Sequence, residues 1–212
     1  MQEVINQYKK SFSENGNSPK SVFWPKGRLD ERFLMLTKEI TKEKFTLLDY
    51  GCGLAHSIDY LNKNYLHRFE YSGVDIVDDF ITENKRNFPL RSFQLITHHT
   101  EVKGNYDYII SSGAFSMLYV EDENEHKKIV FEILEFLFNR TNVCLSVNFM
   151  TDDVDFKQTG AYHQNVKELY DFVQEKLTKR VVIDQSYMPY EYTITLFKNQ
   201  EIISPENVYV NE

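Results

Sequence analysis

Long hydrophobic runs are missing from this chain. No stretch approaches about 18 consecutive apolar residues, and Met1 to Lys10 is polar, so neither a membrane span nor a signal peptide is expected. Cysteine is scarce. Cys52 and Cys144 sit in apolar or glycine-rich surroundings, which argues against a disulfide scaffold and fits a reducing compartment, the cytoplasm. With 5 prolines and 8 glycines in 212 residues, a collagen-like or low-complexity chain is excluded. Basic residues are outnumbered, 24 against 32 acidic ones, for a net charge of -8. A polyanion needs a clustered basic face, so no nucleic-acid partner is expected, although a small anionic substrate remains compatible. His98, His99, His126 and His163 lack a metal-ligand spacing, and no metal is expected. Aromatic residues are abundant instead, 16 Phe and 14 Tyr with a single Trp, which suits a packed core and a ring-lined pocket. At this length one domain, 1–212, is the expectation.

Periodicity then orders the chain. Val4, Ile5, Tyr8 and Phe12 have helical spacing, and Ser13 to Lys20 reads as a loop. Leu29, Phe33, Leu36 and Ile40 share one face of a helix from about Arg28 to Thr41, so 1–44 reads as an N-terminal helical cap. Strands are expected at Phe45–Tyr50, Phe69–Ile76, Ser92–Ile96, Tyr106–Ser111 and Asn142–Phe149. Helices follow Gly53 and cover Asp78–Asn87 and Asn124–Phe138. Met150 to Asn165 has no period and reads as a substrate lid, because long irregular connections in compact domains are usually functional. A helix over Val166–Leu177 and a hairpin of Arg180–Gln185 with Tyr190–Lys198 close the chain. The alternation predicts an α/β fold: a doubly wound, mostly parallel seven-stranded sheet with helices on both faces. The C-terminal hairpin would add an antiparallel strand at one edge.

The most informative stretch is Leu47-Leu48-Asp49-Tyr50-Gly51-Cys52-Gly53-Leu54-Ala55. It reads as a buried strand, a sharp turn and a helix start, and its glycines let the backbone approach a ligand closely. Free N–H groups then lie at the carboxyl edge of the sheet, where α/β folds bind ligands. A dinucleotide fingerprint wants a third glycine where His56 stands, and Asp49 would repel a pyrophosphate. Both residues favour a positively charged nucleoside without phosphates.

On these residues the chain resembles the class I S-adenosylmethionine (SAM)-dependent methyltransferases. Their glycine motif is an acidic residue, any residue, then G-x-G-x-G. Here it reads Asp49, Gly51, Gly53, with Ala55 in the third glycine's place. The resemblance implies SAM as cofactor, with Asp49, Gly51, Cys52 and Gly53 around it. Asp75, in Gly73-Val74-Asp75-Ile76, would grip the ribose hydroxyls, with Ile76 beside it. It further implies His98 near the adenine, Ser111 at the end of the fourth strand beside the cofactor, and Arg32 on the methionine carboxylate. Asp75 could instead cap the following helix, and Asp49 could satisfy its own turn.

Candidate substrate contacts are Trp24, closing over the site with Lys26 and Arg28, together with Phe115 and Tyr162. Phe115 and Tyr119 offer aromatic faces to a sulfonium. His163 is the candidate catalytic base if the acceptor is a hydroxyl. An anionic oxygen would need no base and would call for a clamp from Lys26, Arg28 or Arg180. The expected activity is methyl transfer to a small-molecule or sugar-precursor acceptor, with oxygen favoured, by a monomer or homodimer. The alternatives are an NAD(P)-dependent oxidoreductase of Rossmann type and a non-catalytic binding partner that keeps the fold.

Overall fold

The structure is a computed structural model that describes residues 1–24 and 28–199. Its centre is β1 (Phe45–Tyr50), a strand whose consecutive leucines face opposite ways. Leu48 joins one apolar cluster and Leu47 the other, and neither is exposed to solvent. A strand buried on both faces has to lie inside a sheet covered on both sides.

The chain moves outward from β1 to β2 (Phe69–Asp75) and β3 (Ser92–Leu95). It then crosses back to β4 (Tyr106–Ser111) and β5 (Thr141–Met150) on the other side. These five strands are parallel. The sheet has seven strands in the order β3-β2-β1-β4-β5-β7-β6. The sequence of the closing hairpin suggests an antiparallel strand at the edge, but β7 (Glu191–Phe197) inserts between β5 and β6 (Val181–Asp184), antiparallel to both. Burial explains the difference. All of β7 but its last residue is buried, with Tyr192, Ile194 and Leu196 in the core, whereas every residue of β6 is partly or fully exposed, so β6 takes the edge.

Helices cover both faces. α2 (Leu29–Thr37), α3 (Ser57–Tyr65) and α4 (Asp78–Asn87) send Phe33, Leu36, Ile58, Leu61 and Ile81 into one cluster. α5 (Glu123–Asn139) and α6 (Val166–Lys176) supply Ile133, Leu137, Leu169 and Val173 to the other. α2 stops at Thr37, short of the expected Thr41. The leading helix α1 (Gln2–Asn15) runs further than its apolar spacing indicates, into the Ser/Asn-rich segment. There Ser13 Oγ and Asn15 Nδ2 donate back to the carbonyls of Lys10 and Ser11 at 2.8 and 2.9 Å, and Gly16, at φ 60°, ends the helix. A 3-10 turn at Pro19–Val22 follows. α1 does not join either main cluster. Its Tyr8 and Phe12 pack on Leu54, Val77 and Phe80, over the carboxyl ends of the strands.

The segment 150–165 is tied down at both ends. Thr151 bridges Gln164, Ala161 bridges Met117, and Thr151, Tyr162, His163 and Gln164 are buried. Among the described residues, no helix is long and apolar enough to cross a membrane.

Candidate active site

Strand order reverses between β1 and β4, and the crevice at such a point is where open α/β sheets take ligands. A cavity of about 330 Å³ lies there, within the usual range for small-molecule sites. Its floor is the turn after β1. Gly51 and Cys52 donate their N–H groups to the Val74 carbonyl at 2.9 and 3.0 Å, which folds the turn against β2. Gly51 has φ 73°, and a Cβ there would stand 2.5 Å from Ala114 Cβ, so only glycine fits. Ala55, in the position where the motif has its third glycine, also takes a positive φ of 54° while fully buried. That conformation costs an alanine about 1–2 kcal/mol, which gives the motif's glycine its physical reason.

Two carboxylates define the cavity's electrostatics. Asp75 ends β2 and is buried. Its Oδ2 accepts the Gly53 N–H at 2.8 Å and its Oδ1 the Val77 N–H at 2.9 Å, so it braces the glycine turn and the start of α4 while lining the cavity. Burial raises its pKa, and the backbone donors pull it back down. Asp49 is buried too. Its Oδ2 accepts the hydroxyls of Ser57 at 2.5 Å and Tyr71 at 2.9 Å, whereas its Oδ1 has no partner among the described residues. Burial pushes the Asp49 carboxyl up to about 6, against the lowering effect of those two hydroxyls. Asp49 thus does not satisfy its own turn: one oxygen ties β1 to α3 and β2 through two hydroxyls, and the other has no partner among the described residues.

The remaining walls come from three places. Ile76, Ile96, Thr97, His98 and His99 line the side over β2 and β3. His98 Nδ1 accepts the Thr100 N–H, and Glu101 answers through the His98 N–H at 2.9 Å, so a capping box fixes this corner. Ser112, Gly113 and Ala114 line the side over β4. The roof is N-terminal: Met1, Val4, Tyr8, Val22 and Trp24. Val22 Cγ1 comes within 3.1 Å of where a Gly53 Cβ would lie, so the cap sits directly on the turn. The Met1 ammonium donates to the Tyr119 carbonyl. Arg32, on α2, lines the cavity beside Trp24, with its guanidinium carbon 3.7 Å from the indole centroid.

Four expected site residues stand elsewhere. Ser111 is fully buried and donates to the Tyr50 carbonyl at 2.9 Å, below the cavity; its neighbours Ser112 and Gly113 form the wall instead. Phe115 is core, stacked between Tyr50 and Phe149. Tyr162 and His163 belong to a separate polar hollow of about 200 Å³, together with Glu123, Lys127, Asp152 and Glu168. Tyr162 donates to Gln164 Oε1 at 2.7 Å and leans on His126. His163 Nδ1 lies 2.7 Å from the Thr151 carbonyl, and its Nε2 is buried without a partner among the described residues. No residue of 150–165 lines the main cavity, so the covering element is the N-terminal segment, not this loop. Of the basic candidates, Lys26 lies outside the described residues. Arg28 is exposed and does not line the cavity, and Arg180 donates to the Asn199 carbonyl at 2.7 Å. Tyr119 does line the cavity, its hydroxyl held on the Ala114 carbonyl at 2.5 Å.

The sequence reading missed the roof residues Met1, Val4 and Tyr8. It also missed a buried pair behind Arg32, Asn148 on β5 and Glu191 on β7. A signal existed for Glu191: it is a lone carboxylate at the head of the otherwise uncharged run Tyr192–Phe197.

No family model matches the chain. A Mycobacterium tuberculosis protein provisionally named as a methyltransferase is 23% identical over 158 residues, 74% of this chain and 95% of that one. The structure of the Synechocystis magnesium protoporphyrin IX methyltransferase, solved with bound S-adenosylhomocysteine (SAH), superposes with a TM-score of 0.64 at 14% identity. It covers 93% of this chain and 100% of that one. The chain has the class I SAM-dependent methyltransferase fold. A TehB-like SAM-dependent methyltransferase from Corynebacterium glutamicum shares this methyltransferase fold at TM-score 0.55 and 13% identity, over 93% of this chain and 97% of that one.

Proposed function

We propose that this chain binds SAM in the crevice at the ends of β1 and β2 and transfers its methyl group to a small-molecule acceptor. The observation that carries the reading is the pair Asp49 and Asp75. Two buried carboxylates line one cavity, one has an unsatisfied oxygen, and no cation lies within ion-pair distance of either among the described residues. Such a place favours a positively charged ligand. SAM supplies a methyl group on a sulfonium, an electrophile that needs little activation.

The chain's own residues then divide the work. Asp75, placed by two backbone N–H groups, keeps lone pairs for the two hydroxyls of a ribose. Ile76 and Ile96 offer apolar surface for a purine beside His98. Asp49 Oδ1 and the Arg32 guanidinium suit an ammonium and a carboxylate of an amino-acid tail. Trp24 and the α1 roof exclude water and face the acceptor, and that positioning is the main contribution to rate, up to ~7–11 kcal/mol in well-oriented model systems. His163, in the other hollow, does not reach this chemistry. An acceptor oxygen already ionised at neutral pH, a carboxylate or an acidic phenol, needs no base and is the acceptor we favour. The two free, buried cysteines support a cytoplasmic setting.

Side-by-side calorimetric titration with SAM, SAH, NAD and NADP tests the reading. Binding of SAM and SAH alone is expected; binding of a nicotinamide dinucleotide and not SAH would replace it with the oxidoreductase.

A further inference from the structure

Behind the cavity wall lies a buried polar chain that neither ribose nor purine recognition uses. Arg32 and Glu191 are separated by 159 positions, yet they meet as a fork on a carboxylate: Nε donates to Glu191 Oε2 at 3.0 Å and Nη2 to Oε1. Both side chains are almost entirely buried, 7% and 6% exposed. Asn148, 1% exposed, joins them. Its Nδ2 donates to Glu191 Oε2 at 3.0 Å, and its Oδ1 accepts the Gly113 N–H at 2.7 Å. The chain therefore links the end of β4, through β5 and β7, to α2 and the Trp24 ring.

Two bonds to one carboxylate fix a guanidinium in plane as well as in place, which a single bond does not. The nitrogen left over, Nη1, stands over Gly113, 3.3 Å from where a Cβ would be. It has no hydrogen-bond partner among the described residues and belongs to a residue that lines the cavity. A buried ion pair of this kind contributes little net stability over an apolar pair of the same shape, so its presence asks for another reason.

We infer that Glu191 and Asn148 are positioning residues: they hold the Arg32 guanidinium and the Gly113 N–H at the cavity wall, with Nη1 presented to the carboxylate of the ligand's amino-acid tail. This rests on the SAM reading above. Glu191 and Asn148 act only through Arg32 and Gly113.

The probes are SAH, which carries the tail, and 5′-methylthioadenosine, which lacks it, titrated by calorimetry and by the fluorescence of Trp24, the sole tryptophan. Wild type binds both, with SAH tighter. Glu191→Gln, which keeps the shape and removes the charge, weakens SAH about fivefold or more and leaves methylthioadenosine unchanged. Arg32→Lys keeps the charge, loses the fork and shows the same selective loss. The double variant Arg32→Met, Glu191→Met replaces the pair by apolar chains, keeps its melting temperature, and discriminates no worse than Arg32→Met alone. Unchanged or tighter SAH binding in folded Glu191→Gln overturns the clamp, as does equal weakening of both ligands. Retained discrimination in Arg32→Lys overturns it too, even if Glu191→Gln does not fold. If wild type binds neither ligand, the SAM reading fails and takes the clamp with it; loss of discrimination alone leaves SAM binding intact.

Discussion

The molecule has two concave regions that treat charge in opposite ways. In the hollow beneath 150–165 the acidic side chains are answered: Glu168 by Lys127 at 2.8 Å, Glu123 by Lys157 at 3.9 Å, and Asp152 by the Asn165 amide at 2.8 Å. The two ion pairs are partly exposed, and such pairs contribute about 0–1 kcal/mol each. In the crevice at the ends of β1 and β2, Asp49 and Asp75 are buried without a countercharge among the described residues. A charge left unbalanced in a low-dielectric wall is costly to keep unless a ligand supplies its partner. The contrast separates a hollow whose carboxylates are paired from a crevice whose carboxylates are not.

Substitutions in the crevice and in the hollow should therefore differ steeply. Gly51→Val has the largest effect: a branched side chain at positive φ, driven into Ala114, abolishes SAH binding to below detection by calorimetry. A folded Gly51→Val protein with wild-type affinity would make the turn merely structural. Asp75→Ala weakens SAH by about tenfold or more, at about 1.4 kcal/mol for each factor of ten, in a titration of protein whose melting curve remains cooperative.

A pH dependence follows from Asp49. Its folded pKa, about 6, is raised above the ordinary carboxylate value, so the folded protein holds this proton more tightly than the unfolded chain. That contribution to stability is complete below pH about 4 and is lost as pH rises through about 6. A cationic ligand prefers the ionised form. SAM affinity is thus expected to fall as pH is lowered through about 6, with apo stability moving the other way, and a flat profile between pH about 5 and 8 would remove Asp49 from the site.

Core and hollow close the series. Phe115→Ala costs stability, about 3–5 kcal/mol by denaturant unfolding, while SAH affinity of the folded fraction stays within about twofold. His163→Ala leaves SAH affinity within about twofold, and a larger loss would return the 150–165 loop to the site.

The strand sequence, the glycine turn and both carboxylates were legible because each is local. Gly51, Gly53 and Asp49 lie in one turn, and Asp75 ends the next strand, so a strand–turn–helix pattern places all four. Trp24 and Arg32, which also line the cavity, came from no such local pattern: Arg32 was implied by the resemblance and Trp24 was a candidate contact. What escaped depends on contacts distant in sequence. Ser111 and Ser112 are adjacent, yet Ser111 ends β4 with its hydroxyl on the Tyr50 carbonyl, while Ser112 begins the bend after it and stands on the wall. Phe115 follows the wall residues closely but is drawn into the stack with Phe149, and no periodicity announces that. His163 sits in an irregular loop that looks like a lid, but the bridge of Thr151 to Gln164 fixes it over α5 and α6 residues instead. Glu191 acquires its meaning only when β7 inserts beside β5 and brings it under Arg32.

The central claim is that the crevice takes an adenosyl compound on Asp75. A crystal structure of the protein with SAH tests it most directly. The expected result is ligand density above the Gly51–Gly53 turn with both ribose hydroxyls within hydrogen-bond distance of the Asp75 carboxylate. Density in the hollow beside His163, or a crevice that remains empty at saturating SAH, would contradict the account.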